Sequence, residues 1–175
     1  MINLKETIPE FGTKLDGVDY AERICAYGII TNDQNQVALI GLPQGVYLPG
    51  GGVYPNETLI NGLKREILEE TGYTSTVGEK IGVAAQYRND SSTGIPYKKV
   101  GHYYFVNLRI QIQDAIEKDH QLIWRDANSA SLILKREAQR WGLQAGLRMQ
   151  KKPKLIGKIS GRAFIDFTRG KLLGN

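Results

Sequence analysis

The segment Gly51–Tyr73, GGVYPNETLINGLKREILEETGY, places three carboxylates at i, i+3 and i+4 on a short helix behind a glycine-rich turn. Residues at that spacing share one helix face, so Glu66, Glu69 and Glu70 converge on a single patch. Most acidic runs simply face water. Here the arrangement opposes itself. Glu66 and Glu70 are a like-charge i,i+4 pair costing about 0.2–0.5 kcal/mol, and all three stand near the helix C-terminus, where the macrodipole disfavours anions by about as much again. A bound cation reverses both penalties. Ligation by oxygen alone suits a hard ion, Mg²⁺ or in its place Mn²⁺, with positions left for water and phosphate oxygens.

The boundaries of the segment predict a helix without reference to its charges. Asn56, after Pro55, is the expected N-cap, and Gly72 is suited to the left-handed conformation that ends a helix. Between them Leu59, Ile60, Leu63 and Ile67 recur at helical spacing and form the stripe expected to be buried. One helix is thus expected both to anchor and to ligate.

These residues resemble the Nudix box, G-x5-E-x7-R-E-U-x-E-E-x-G-U with U a bulky apolar residue, as Gly51, Glu57, Arg65, Glu66, Ile67, Glu69, Glu70 and Gly72. Only the last position departs, Tyr73 standing where an aliphatic residue is usual, and an aromatic fills the same slot. Seven invariant positions at an average residue frequency match by chance on the order of 10⁻⁸ times per register.

The resemblance implies hydrolysis of a nucleoside diphosphate linked to another group, by water attacking phosphorus. It implies Glu66, Glu69 and Glu70 as metal ligands, with the backbone carbonyl of Gly50 as a further oxygen ligand. Arg65 and Glu57, two turns apart, are expected to pair and hold the carboxylates in place. The metal neutralises pyrophosphate charge and lowers the pKa of the attacking water. The base for that water stays open between Glu117, on a loop after the box, His120 three residues later, and Glu66 itself.

The chain of 175 residues, 41% of them hydrophobic, has room for one sizeable core, and residues 1–150 are read as one domain. The apolar run around Ile24 to Ile30 is too short to span a bilayer, and MINLKETIPEF lacks a secretory h-region, so a cytoplasmic protein with no membrane partner is expected. Cys25, the single cysteine, lies in an apolar run and reads as a small buried hydrophobe. Residues 151–175 form a basic extension: seven basic side chains against Asp166 make it +6, which leaves residues 1–150 at −1 of the total +5. Such a tail could steer polyphosphate or nucleic acid toward the protein. A solvated or docked extension is the preferred reading, because the tail shows neither a heptad nor a nucleic-acid module. Family members are often dimers, which leaves a homodimer open.

Arg23 to Thr31 and Val37 to Leu42 read as strands joined through NDQNQ in a hairpin, and Val46 to Leu48 as a short strand before the glycine turn. Lys80 to Tyr87, Lys99 to Leu108 and Leu122 to Trp124 follow as strands. Residues 128–147 are expected as one helix burying Leu132, Leu134, Ala138, Trp141 and Leu143. Periodicity alone supports a mixed α and β domain; the resemblance narrows it to the α+β Nudix fold, a mixed β-sheet sandwiched between helices (α/β/α). Tyr47 stands before Leu-Pro-Gly-Gly where many members carry Trp.

Substrate choice rests on loops outside the box. ADP-ribose subfamilies usually carry a proline about fifteen residues beyond it, and none stands near Arg88 to Ser91. Tyr87 is read first as a strand aromatic and second as a base-stacking residue, and Lys98 and Lys99 as candidate phosphate contacts, with His120. His102 reads as a packed strand residue. The preferred function is Mg²⁺-dependent hydrolysis of a nucleoside triphosphate or a modified form of one. A catalytically silent nucleotide sensor, a dinucleoside polyphosphate hydrolase and an RNA 5′-pyrophosphohydrolase are the alternatives.

Overall fold

Cys25–Ile30 and Val37–Ile40 are buried at every position, so the strands carrying them must be covered on both faces. The computed structural model describes residues 7–89 and 94–151. In chain order the elements are β1 (Glu10–Phe11), β2 (Ala21–Ile29), β3 (Gln36–Leu42), β4 (Gly45–Tyr47), β5 (Gly50–Gly52), α1 (Leu59–Thr71), β6 (Tyr73–Arg88), β7 (Tyr97–Gln111), β8 (Gln121–Asp126), α2 (Ala127–Ile133) and α3 (Glu137–Lys151). A mixed five-stranded sheet has the order β1-β6-β7-β2-β5, and a second, antiparallel sheet has the order β4-β3-β8.

The mixed sheet lies between helices, as expected. On one face α1 sets Leu63 and Ile67 against Ala26, Ile30, Tyr104 and Val106. On the other, Cys25, Tyr27, Ile29, Ala84 and Tyr103 pack with Leu134, Ala138 and Leu143 of the late helical region. Among the described residues no helix is long and apolar enough to cross a membrane. The basic extension lies outside the described residues apart from Lys151.

The hairpin expected between β2 and β3 exists only at its turn. Asn32 Oδ1 accepts from the N–H groups of Gln34 and Gln36 at 3.0 and 2.9 Å, and Ala38 N–H donates to Ile30 O at 3.0 Å. Beyond that the strands part, because both edges of β2 are taken. β7 pairs with it in parallel over nine residues and β5 antiparallel over three. With no edge of β2 left, β3 founds the second sheet.

Helix α1 begins two residues later than expected. Thr58, not Asn56, is the N-cap, its hydroxyl accepting from Asn61 N–H at 3.2 Å. Pro55 and Asn56 sit instead in a turn closed by Glu57 N–H donating to Tyr54 O. Gly72 ends the helix in the left-handed region, φ 76°, and donates to Leu68 O. Ile60, expected in the buried stripe, is 43% exposed, standing on the first turn of α1 while Leu63 and Ile67 further along the same face pack on the sheet.

The single late helix is two. Leu134 leaves helical geometry at ψ 123°, Lys135 N–H donates to Val46 O at 2.9 Å, and Leu134 is driven into the core. Leu132, expected to be buried, is 81% exposed. The break lets α3 take its own direction across β6 and β7, where Gly142 rests on the Tyr103 ring. A Cβ at Gly142 would enter the van der Waals envelope of that ring. Gly142→Ala should therefore destabilise the fold by about 1–3 kcal/mol, the usual cost of overpacking, against the small gain in helix propensity. Urea denaturation reads this directly, and an unchanged midpoint would mean that α3 does not seat on Tyr103.

Candidate active site

Arg65, on the middle turn of α1, gathers the acidic residues around it. Its Nε and Nη2 meet the two carboxylate oxygens of Glu57 at 2.9 and 3.0 Å, a bidentate pair, while Nη1 donates to Glu66 Oε1 at 2.9 Å and Glu69 Oε2 at 3.0 Å. Nη2 also reaches the Gly52 carbonyl at 2.9 Å, and the guanidinium lies over the Tyr54 ring, 4.2 Å from its centroid. The Glu57 carboxylate, its strongest partner, holds Arg65 firmly in its charged form, and Arg65 in turn holds the Glu57 carboxyl below the usual range. One cation thereby keeps three carboxylates together and binds the helix to the glycine turn.

Glu70, one turn further on, has a different setting. Its side chain is 7% exposed, and its Oε2 accepts the Gly50 N–H at 2.8 Å. The shared helix face is thus not uniformly exposed: α1 buries Glu70 against the glycine turn. Burial pushes its carboxyl well above the ordinary value despite the Gly50 N–H, and burial raises Glu66 too, against the pull of Arg65. The turn itself is held by three elements. Gln139 of α3 accepts Leu48 N–H at 3.0 Å, Gly28 of β2 donates to Pro49 O at 2.8 Å, and Glu70 of α1 takes Gly50. Gly50, at φ 117°, has no room for a Cβ, which would run into the Ala26 carbonyl.

A folded-state pKa above the unfolded value means that, between the two, the folded chain holds a proton the unfolded chain has released. Stability contributed by Glu70 is therefore present below the ordinary carboxyl value of 4.5 and is lost as pH rises through the raised value. In EDTA, the native protein should lose thermal stability relative to Glu70→Gln as pH climbs from 4.5 through the raised value, and Mg²⁺ should recover it. Parallel pH profiles for the two proteins would refute the buried charge.

Glu117 and His120 come to the same place from the segment between β7 and β8. Ile116 N–H donates to Glu69 O at 2.9 Å, anchoring that segment on the last turn of α1. His120 Nε2 stands 2.9 Å from Glu117 Oε2 and 3.9 Å from Glu70 Oε1, and Nδ1 is 3.2 Å from Asp119. Ligand atoms of Glu70, Glu117 and His120 all lie within 4.8 Å of one another. A set of carboxylate oxygens with one imidazole can hold a divalent cation.

Beside this cluster a cleft of about 270 Å³ opens on the α3 face of the mixed sheet. Gly50, Gly51 and Glu70 form one end; Tyr27, Gly101 and Tyr103 contribute to its floor; Lys99, Arg88 and Arg136 supply cations. Of the substrate candidates read from the sequence, Lys99 lines the cleft and Tyr87 and Lys98 do not. Side chains alternate across a strand, and Tyr87 and Lys98 point to the far face. There the Tyr87 hydroxyl donates to Glu10 at 3.0 Å, and Lys98 pairs with Glu10 at 2.7 Å. His120 stands at the carboxylates rather than in the cleft. His102 shares the face of Lys98, half-buried, with burial lowering its pKa.

Four residues of the site were not singled out from the sequence: Gln139, Gln86, Arg88 and Arg136. Gln139 and Gln86 are buried amides that accept backbone N–H groups of Leu48 and Ala138. Gln139 left a trace, a polar residue inside the apolar stripe of a helix; the others left none.

A family model described as NUDIX domain matches residues 21–143, which include the clasped carboxylates, the glycine turn and the segment bearing Glu117 and His120. The chain belongs to the Nudix family. Within it, the chain is 42% identical over 60 residues to a Bacillus subtilis (strain 168) protein named "Putative 8-oxo-dGTP diphosphatase", a match spanning 33% of this chain and 40% of that relative's length. The solution structure of the E. coli ORF135 protein superposes with a TM-score of 0.59 at 25% identity, covering 75% of this chain and 93% of that one. The MutT protein from Methanosarcina mazei Go1 does so with a TM-score of 0.61 at 22% identity, over 77% and 99%. These likenesses carry the Nudix fold across about three quarters of the chain, and Arg65 and its carboxylates lie within the family match.

Proposed function

We propose that this Nudix protein is a Mg²⁺-dependent pyrophosphohydrolase of nucleotides, acting on a nucleoside triphosphate or a modified form of one. The observation that carries the reading is the Arg65 clasp beside a buried Glu70 that opens onto the cleft. A helix that binds one arginine to three carboxylates and buries a fourth has concentrated negative charge where only a cation compensates it. The named Bacillus relative supports an oxidised nucleoside triphosphate as one substrate to test. A cytoplasmic location accords with that reading, since nucleotide pools are held there.

In this reading Glu66, Glu69, Glu70 and the Gly50 carbonyl would hold Mg²⁺, with Mn²⁺ able to replace it. Bound there, the ion would neutralise pyrophosphate charge and acidify the attacking water. Glu57 and Arg65 act through the ligands, fixing where their oxygens point. Glu117 accepts the proton of the water as its oxygen bonds to phosphorus, and the bridging P–O bond breaks to release pyrophosphate. His120, at 2.9 Å, orients Glu117 for that transfer.

The test is product analysis with Mg²⁺ over canonical and oxidised nucleoside triphosphates, dinucleoside polyphosphates, nucleotide sugars and 5′-triphosphate RNA. Nucleoside monophosphate and pyrophosphate from a triphosphate are the expected products. Binding without turnover of any of them would make the protein a sensor instead.

A further inference from the structure

The cations of the cleft are not spread evenly around its carboxylate end. In the mixed sheet the strand order β5-β2-β7-β6 carries the cleft sideways from Gly50 on β5 to Lys99 on β7 and Arg88 on β6. At the usual strand spacing, two and three steps put those strands about 10 and 14 Å from β5. A scissile diphosphate held at Glu70 does not extend that far; the nucleoside attached to it does. Arg136, ahead of α3, adds a third cation to the same cleft, its guanidinium 5.6 Å from the centroid of Tyr47, which also lines the cleft.

Two of these cations, Lys99 and Arg136, are poorly compensated by the protein. Lys99 and Arg136 are half-buried, and among the described residues neither has a carboxylate within ion-pair distance. Among the described residues, Glu70, at the other end, is the one acidic residue in the lining. The contrast with their neighbours is sharp: Lys98, next along the strand, is paired with Glu10 at 2.7 Å, and Arg65 meets three carboxylates. Half-buried cations facing one cleft favour an anion there, and a guanidinium with an ammonium suits phosphate oxygens.

We propose that Lys99 and Arg136, with Arg88 beside them, form a second anion subsite that receives a phosphate ester carried on the sugar of the bound nucleotide. The proposal rests on the nucleotide reading above and deepens it: the favoured substrate is a nucleoside 5′-polyphosphate phosphorylated a second time, on its sugar. Two sources supply that chemistry, a mononucleotide with a sugar phosphate and the first internucleotide phosphate of a 5′-phosphorylated oligonucleotide. The monoester is the better fit, because it brings up to two charges where a diester brings one.

The experiment is calorimetric titration of the full chain, with Mg²⁺ present, by nucleoside 5′-monophosphates, the matching 3′,5′-bisphosphates and 5′-phosphorylated dinucleotides, over the four bases. For at least one base the bisphosphate should bind about tenfold more tightly than the monophosphate, with the dinucleotide between them. The double substitution Lys99→Gln, Arg136→Gln should bring the first two within about twofold, while Lys98→Gln, on the far face, should keep the preference. A dinucleotide that binds more tightly than the bisphosphate would overturn the choice of a mononucleotide. Equal affinities for mono- and bisphosphate, no binding of either, or a preference that survives the double substitution would overturn the subsite. Hydrolysis is scored separately: turnover of triphosphates without any bisphosphate preference removes the subsite alone, and a bisphosphate preference without turnover removes the hydrolase reading alone.

Discussion

Glu70→Gln should lower kcat by about 10²–10⁴-fold, the loss expected when a ligand that contributes several kcal/mol at the transition state is removed. The same substitution should leave the fold intact and, in EDTA at neutral pH, make it more stable. The amide oxygen of Gln can still accept the Gly50 N–H that Glu70 takes at 2.8 Å, and the buried charge is gone. A rate collapse together with a stability gain separates a ligand from a structural carboxylate, since a purely structural Glu would lose both. Steady-state kinetics with Mg²⁺, beside denaturation in EDTA, makes the comparison. Turnover at the parental rate would place the metal elsewhere.

Arg65→Met should destabilise the protein by about 2–4 kcal/mol, because it leaves carboxylates that are largely shielded from water without their cation. The expected loss stands below the cost of a fully buried pair, since about a fifth of the Arg65 side chain is exposed to solvent. Activity should fall as well, and through metal affinity: with Glu66 and Glu69 released, more Mg²⁺ should be needed for half-maximal rate. Raising Mg²⁺ should recover part of kcat in Arg65→Met and little in Glu70→Gln. Identical Mg²⁺ dependence in native and Arg65→Met protein would remove the positioning role of Arg65.

Local chemistry makes the carboxylate cluster of α1 legible in the sequence. The spacing of Glu66, Glu69 and Glu70, the position of Gly72 and the separation of Glu57 from Arg65 are properties of a helix and the turn before it. Where the sequence reading slipped locally, two signals competed over a few residues. Thr58 outranked Asn56 as a cap because the turn from Tyr54 to Glu57 used up the first candidate. The late helix broke because Lys135 N–H had a partner in Val46 that a continuous helix would have denied it.

Tyr87, Lys98 and Lys99 show where such reasoning ends. All three were strand residues of suitable chemistry near the right place, and only Lys99 faces the cleft. Alternation says that Lys98 and Lys99 point opposite ways; it does not say which face α3 will leave open, since that depends on how α2 and α3 divide.

By itself the sequence determined the box helix, its glycine turn, its acidic cluster and its family, because these depend on contacts a few residues apart whose energies are set by spacing. Tertiary structure alone decided that Glu70 is buried, that Glu117 and His120 join it, and that Gln139 holds the turn from 91 residues away. Those contacts bring together segments distant along the chain, and their strength comes from exclusion of water, which no single segment achieves before the sheet and its helices close around it.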